Sequence, residues 1–140
     1  MFEKSERSTF KYFFAHWCAF QMTALNLKQW KVKYLFHDIE KPWMLYWYML
    51  VRNMDHEHAY KKVQEWHRTH RSHHLEYNGV YKDYYAMVID WECSRFTKSS
   101  SPRNAYDEYI KKLQENKLSE KDIDGLRVVL EVYGLYGKHL

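Results

Sequence analysis

A chain of 140 residues, 46% hydrophobic and 19% aromatic, is one domain's worth of sequence with enough apolar matter for a real core. Its formal net charge of +4 allows an anionic small substrate but argues against a nucleic-acid binder, which would carry a strong basic stripe. The two cysteines, Cys18 and Cys93, stand far apart in apolar patterns, which excludes a zinc ribbon or a CxxC redox pair and fits free thiols in a reducing compartment.

The polar N-terminal stretch MFEKSERS shows no leader pattern, and WMLYWYMLV is half the length a bilayer requires. A cytoplasmic protein with no membrane partner is therefore expected. Only four glycines and two prolines punctuate the chain, so long helices are expected rather than a β-sandwich. The predicted fold class is all-α, a bundle of about six or seven helices.

The first predicted helix runs from Ser8 to Leu27. Phe10, Phe13, Phe14, Trp17, Phe20 and Met22 make it apolar nearly all round, as a central buried helix would be, with His16 inside it. A second helix is predicted from Lys28 to His37-Asp38. Pro42 disfavours helix at Lys41, so Asp38 to Pro42 should bend. A third helix follows from Trp43 to Arg52. Asp55 is a candidate N-cap for the next, His56 to about His70, which leads to a turn at Asn78-Gly79. Another helix spans Tyr81 to about Phe96. KSSSP reads as a loop with Pro102 near the first position of a helix carrying Tyr106, Tyr109, Ile110 and Leu113. Ser119 and Asp122 form a capping-box pattern for a last helix, which fades at Gly134 and Gly137. Residues 1–98 would form a metal-binding core, and 99–140 a helical hairpin packed on it or mediating a homodimer.

Six of the nine histidines fall between His56 and His74, and WHRTHRSHH holds four of them. Imidazole and carboxylate bind first-row transition metals at neutral pH. His37-Asp38 can reach one ion together only where the backbone bends, since adjacent helical side chains diverge. Asp90 lies in an apolar stripe, where a carboxylate must be paired, protonated or metal-bound. His67, His70 and His74 would share a face if their helix ran on, with His73 beside them and His70 the weakest candidate. Glu76 is a candidate acid/base group. Arg52, Arg68 and Arg71 are candidate phosphate contacts, and Tyr77, Tyr84 and Tyr85 candidate pocket walls.

The order His, His-Asp, further His, then Asp resembles the HD-domain superfamily of metal-dependent phosphohydrolases, over about residues 10–96. LFHDIEKP is similar to that family's HDxGK-type segment, with Glu40 where glycine is usual. WHRTHRSHHLEY followed by IDWE resembles short HD-like proteins with a His, a His-His-x-Glu element and a final Asp. The resemblance implies an HD-domain-like bundle in which His16, His37, Asp38 and Asp90 hold one divalent transition metal (Mn, Fe, Co, Ni or Zn). His67 with one or both of His73 and His74 would complete a second site. Asp38 would bridge the ions or touch the attacking water, and Lys41 would contact a substrate phosphate. The expected activity is hydrolysis of a phosphate ester, a nucleotide by family analogy. Two alternatives stand beside it. One is a di-iron oxygenase of the same superfamily. The other is a non-enzymatic binding module with a degenerate site, using Lys61, Lys62, Arg68 and Arg71.

Overall fold

The computed structural model describes residues 4–97 and 102–140. Six α-helices and no strands occur among them: α1 (Lys4–Asn26), α2 (Glu40–Tyr46), α3 (His56–His70), α4 (Tyr84–Cys93), α5 (Ala105–Gln114) and α6 (Glu120–Val132). The all-α expectation holds. No helix among the described residues is long and apolar enough to cross a membrane.

Helix α1 buries Phe13, His16, Phe20 and Ala24, spaced by three and four along one face. Its other aromatic and aliphatic residues do not follow: Phe14 is 69% and Met22 60% exposed. The expectation of a helix buried all round is thus corrected. That role falls to α4, which buries Ala86, Met87, Val88, Ile89, Glu92 and Cys93 and packs against α1, α5 and α6.

The second predicted helix does not form. Lys28 adopts a left-handed φ of 58° and Lys31 is extended, leaving only a 3-10 turn over Val32–Phe36. Side-chain hydrogen bonds hold this segment to α1 instead. Trp30 Nε1 donates to Gln21 Oε1 at 2.7 Å, Gln21 Nε2 to the Tyr34 carbonyl at 2.6 Å, and Trp17 Nε1 to the Leu35 carbonyl at 3.0 Å. The predicted bend over Asp38 to Pro42 also contracts, to the left-handed Asp38 (φ 56°). Glu40, Lys41 and Pro42 open α2, where a proline costs nothing because first-turn N–H groups have no partner within the helix. Helix α2 then runs into a π-type turn, Trp47–Val51.

Helix α3 starts at the expected cap, with Asp55 accepting from the His58 N–H. It ends at His70 because Arg71 is extended, so the predicted continuation towards His74 fails. Helix α4 is shorter than predicted, opening where Asp83 accepts from the Ala86 N–H at 3.1 Å. Residues 98–101 of the predicted KSSSP loop lie outside the described residues. Pro102 precedes the true cap of α5, Asn104, by two residues rather than entering the helix. The buried Glu92 of α4 accepts from the Ala105 N–H at 3.0 Å, which fixes the start of α5 to α4. The Ser119–Asp122 capping box opens α6 as expected. Gly134 (φ 71°) closes it in a Schellman motif, with the Gly134 N–H on the Glu131 carbonyl and the Leu135 N–H on the Leu130 carbonyl at 2.8 Å.

Three apolar clusters result. Met87 and Val88 of α4 pack with Ala105, Tyr109, Leu126, Val129 and Leu130 of the C-terminal hairpin. Phe20, Tyr34, Ile89 and Cys93 form a second, and Phe13, Leu45, Ala59 and Val63 a third. Through the first cluster α5 and α6 pack on α4.

Asp122 couples the hairpin to the start of α4. It accepts from the Tyr84 hydroxyl at 2.6 Å, from Lys82 Nζ at 3.0 Å and, within the α6 capping box, from the Ser119 N–H at 3.3 Å. Burial would raise its pKa, but the Tyr84 and Lys82 bonds outweigh burial and lower it. A depressed folded-state pKa stabilises fully above the unfolded value of about 4 and is lost as pH falls below it. Asp122→Asn is expected to cost about 1.5–3 kcal/mol at pH 7. In urea titrations the gap between variant and parent should close as pH falls below about 4.

Candidate metal centre

Three elements deliver the first group: α1, the end of the 3-10 turn and α4. His16 projects from the inward face of α1, between Phe13 and Phe20 one turn away on either side. His37 closes the 3-10 turn with its ring flat on Phe20, centroids 3.6 Å apart at 14°. The left-handed Asp38 is the bend the pair requires, and it swings both side chains to one point. Asp90 comes from α4, one turn before Cys93.

His16 Nε2 and His37 Nε2 lie 2.9 and 3.1 Å from Asp90 Oδ1, and 3.3 and 3.4 Å from Asp38 Oδ2. The ligand atoms of these four residues all lie within 4.8 Å of one another. Lys41 Nζ is 3.3 Å from the same Asp38 Oδ2.

The other oxygen of Asp38 faces a second group. His67 Nε2 is 2.9 Å and His73 Nε2 3.1 Å from Asp38 Oδ1, and the two nitrogens are 3.1 Å apart. His67 sits fully buried in the last turn of α3. His73 and His74 return to it only because the chain turns at Arg71. His67, His73 and His74 form a second set whose ligand atoms lie within 4.8 Å of one another.

Hydrogen bonding alone does not satisfy these groups. Among the described residues, Asp38 Oδ1 has two imidazole nitrogens close by but no aligned hydrogen bond, and the buried His74 Nε2 has no hydrogen-bond partner. Glu40 sharpens the point. Burial would raise its pKa, but the bond from His67 outweighs burial and the carboxyl falls to about 2. An ionised Glu40 only accepts, so His67 donates to it through Nδ1 at 2.6 Å. His67 Nε2 then presents a lone pair to a carboxylate oxygen, two acceptors that need a second proton or a cation between them. A histidine held by a carboxylate on its far nitrogen is a standard arrangement for a metal ligand.

The electrostatics agree. Burial lowers the His16 pKa, but the Asp90 charge and bonds to Asp38 and Asp90 raise it well above the usual histidine value. At His37 burial wins and the pKa falls. Burial and the neighbouring His73 push His74 down to about 3, so its imidazole stays neutral with a lone pair available. Burial would raise Asp38 and Asp90, but His37 and Lys41 around the first, and His16 around the second, hold both well below the usual carboxylate range. The buried His and Asp groups are thus competent to hold a metal ion.

The structure brings His16, His37, Asp38, Lys41, His67, His73, His74 and Asp90 together. Glu76 lines a cavity of about 490 Å³ that opens from Asp38, Asp90, His16 and His74. His70 stays outside, exposed and stacked on Trp66 with centroids 4.5 Å apart. Of the candidate phosphate contacts, Arg68 lines the cavity. Arg71 is diverted to Glu40, its Nε 2.9 Å from Oε1, and Arg52 is exposed beyond the π-type turn. Tyr77, Tyr84 and Tyr85 do not line this cavity, Tyr84 being turned to Asp122 and Tyr85 to Tyr133; Tyr12, Tyr60 and Trp91 do. Tyr12 was within reach of sequence reasoning, since it lies one helical turn before His16 and stacks on it. Glu40, noted in the sequence only as standing where glycine is usual, is engaged by His67 and Arg71. No protein-family model, curated protein or solved structure matches the chain.

Purified protein is expected to carry transition metal by elemental analysis, and His37→Ala to lose it; unchanged metal content in that variant would count against the site. Glu40→Gln should weaken metal affinity about 10–100-fold, as removal of such supporting carboxylates does. A metal must displace the protons that His16 and His67 hold above the ordinary value, so affinity should fall on acidification and keep rising above about pH 6.5.

Proposed function

We propose that this chain is a small metal-dependent phosphohydrolase of the HD type, cleaving a phosphate ester, with a nucleotide as the substrate class. One observation carries the proposal: Asp38 turns its two oxygens to two different histidine groups while Lys41 sits on the same carboxylate. Asp38 would thus be open to an ion held by either histidine group, and it lines a cavity of nucleotide size. Imidazole and carboxylate together suit Mn, Fe, Co, Ni or Zn.

A divalent ion at this site supplies Lewis acidity and an acidified water at neutral pH. The chain's own residues do the rest. Burial opposes the Lys41 charge, but Asp38 and Asp90 outweigh it and keep the ammonium protonated. With three donors, Lys41 can hold Asp38 and still reach a phosphoryl oxygen. Glu76 on the cavity wall is the group to exchange a proton with the leaving oxygen. Tyr12, Tyr60 and Trp91 offer flat apolar surface to a base.

Metal-loaded protein is expected to release phosphate from nucleoside monophosphates. Asp38→Asn should abolish turnover, and Lys41→Gln should lower kcat/KM about 10²-fold, the usual effect of removing one preorganised charge-stabilising donor. Iron-bound protein that forms an O2-dependent product, with no phosphate release under any of the five metals, would overturn the proposal in favour of an oxygenase. Ligand binding that survives Asp90→Asn, with no turnover of any kind, would favour a binding module.

A further inference from the structure

We propose that the cavity holds a second anion subsite, built by Arg68 of α3 with Lys112 and Lys117 of the C-terminal hairpin, and that the natural ligand carries two anionic groups. This builds on the phosphohydrolase reading for the group at the metal end, but its binding test does not depend on turnover.

The cavity continues past the metal-facing residues onto the hairpin. Trp91, next to Asp90, packs on the hairpin's apolar cluster and lines the cavity, carrying the wall from α4 to α5. Beyond it stand Lys112, in the last turn of α5, and Lys117, past the left-handed Asn116 (φ 60°). Lys111 and Lys112 could each serve the helix dipole, yet of the two Lys112 lines the cavity. Arg68 enters from the α3 side.

These cations keep donors to spare. Lys112 Nζ is 3.5 Å from Glu108 Oε1, and Lys117 Nζ is 3.5 Å from Glu115 Oε1, each a single contact for an ammonium with three N–H groups. Glu108 is itself engaged by Arg103 Nε at 2.9 Å, from outside the cavity lining. Arg71 is tied to Glu40, whereas Arg68 has no carboxylate within ion-pair distance among the described residues. Apart from the residues assigned to the metal end, the lining thus holds three cations, Arg68, Lys112 and Lys117, and one carboxylate, Glu108. The space of about 490 Å³ far exceeds one phosphate group and suits an elongated ligand. A phosphate at Asp38 and Lys41 would leave the second wall free for another phosphate or a carboxylate.

The test uses the full metal-loaded chain and a series of α,ω-alkanediol bisphosphates of two to six carbons, with hexyl phosphate as the single-anion reference and the matching ω-carboxyalkyl phosphates as a second arm. Calorimetry is expected to find one chain length that binds at least about tenfold tighter than hexyl phosphate, the scale of one added charge-assisted contact. Whether the bisphosphate or the carboxyalkyl phosphate gains more identifies the second group. Lys112→Gln, Lys117→Gln and Arg68→Gln should each erase most of that gain. Arg127→Gln removes the same charge from the exposed Glu131 pair on α6 and should keep it. No gain at any length, or a gain untouched by all three replacements, overturns the subsite even if phosphate esters are hydrolysed. A gain that depends on these cations, without hydrolysis under any metal, upholds the subsite and removes the phosphohydrolase reading.

Discussion

Asp38 and Asp90 are two carboxylates drawn out of water at the junction of α1, α2, α3 and α4, and the surrounding structure compensates their charge. An uncompensated buried carboxylate costs several kcal/mol even after relaxation. Here His16, His37, His67, His73 and Lys41 all stand within 3.4 Å of one or other carboxylate. Charge compensation of that kind is a poor way to stabilise a fold, because well-packed apolar residues of similar volume do as well or better. The cluster is thus a cost that the packing around it has to offset. Phe20 under His37, and Glu40 behind His67, hold the rings where mutual repulsion would otherwise scatter them.

The groups that could hold a metal were legible in the sequence because metal chemistry restricts residue types severely. His37-Asp38 stood out as a dipeptide beside a proline, and Asp90 as a charge in an apolar run. The histidine-dense stretch was legible only in part. Helical spacing grouped His67 with His70 and His74, but the extended Arg71 ends the helix and selects His67, His73 and His74 instead. Helix caps at Asp55 and Ser119 were readable because capping is local, a matter of three or four residues.

What sequence hid was long-range. The stretch after Asn26 has ordinary helical composition, yet Gln21, Trp30 and Trp17 offer it side-chain hydrogen bonds that a helix would forgo. Helix α1 has more aromatic residues than α4, but aromatic content does not decide which helix is surrounded; α4 has partners on every side and α1 does not. The role of Glu40 was invisible because its partners, His67 and Arg71, are 27 and 31 positions away.

Helix α4 ties the two halves of the chain together. Within three residues it supplies Asp90 to the histidine cluster, Trp91 to the cavity wall and Glu92 to the first turn of α5. A ten-residue helix is too short to stand alone in water, so its order is borrowed from what packs on it. A cut before residue 105 would strip one flank of that helix, and Asp90 would lose its aim along with the hairpin. The His/Asp groups are written in the first two thirds of the chain, but the helix that carries Asp90 is packed between α1 and the C-terminal helices.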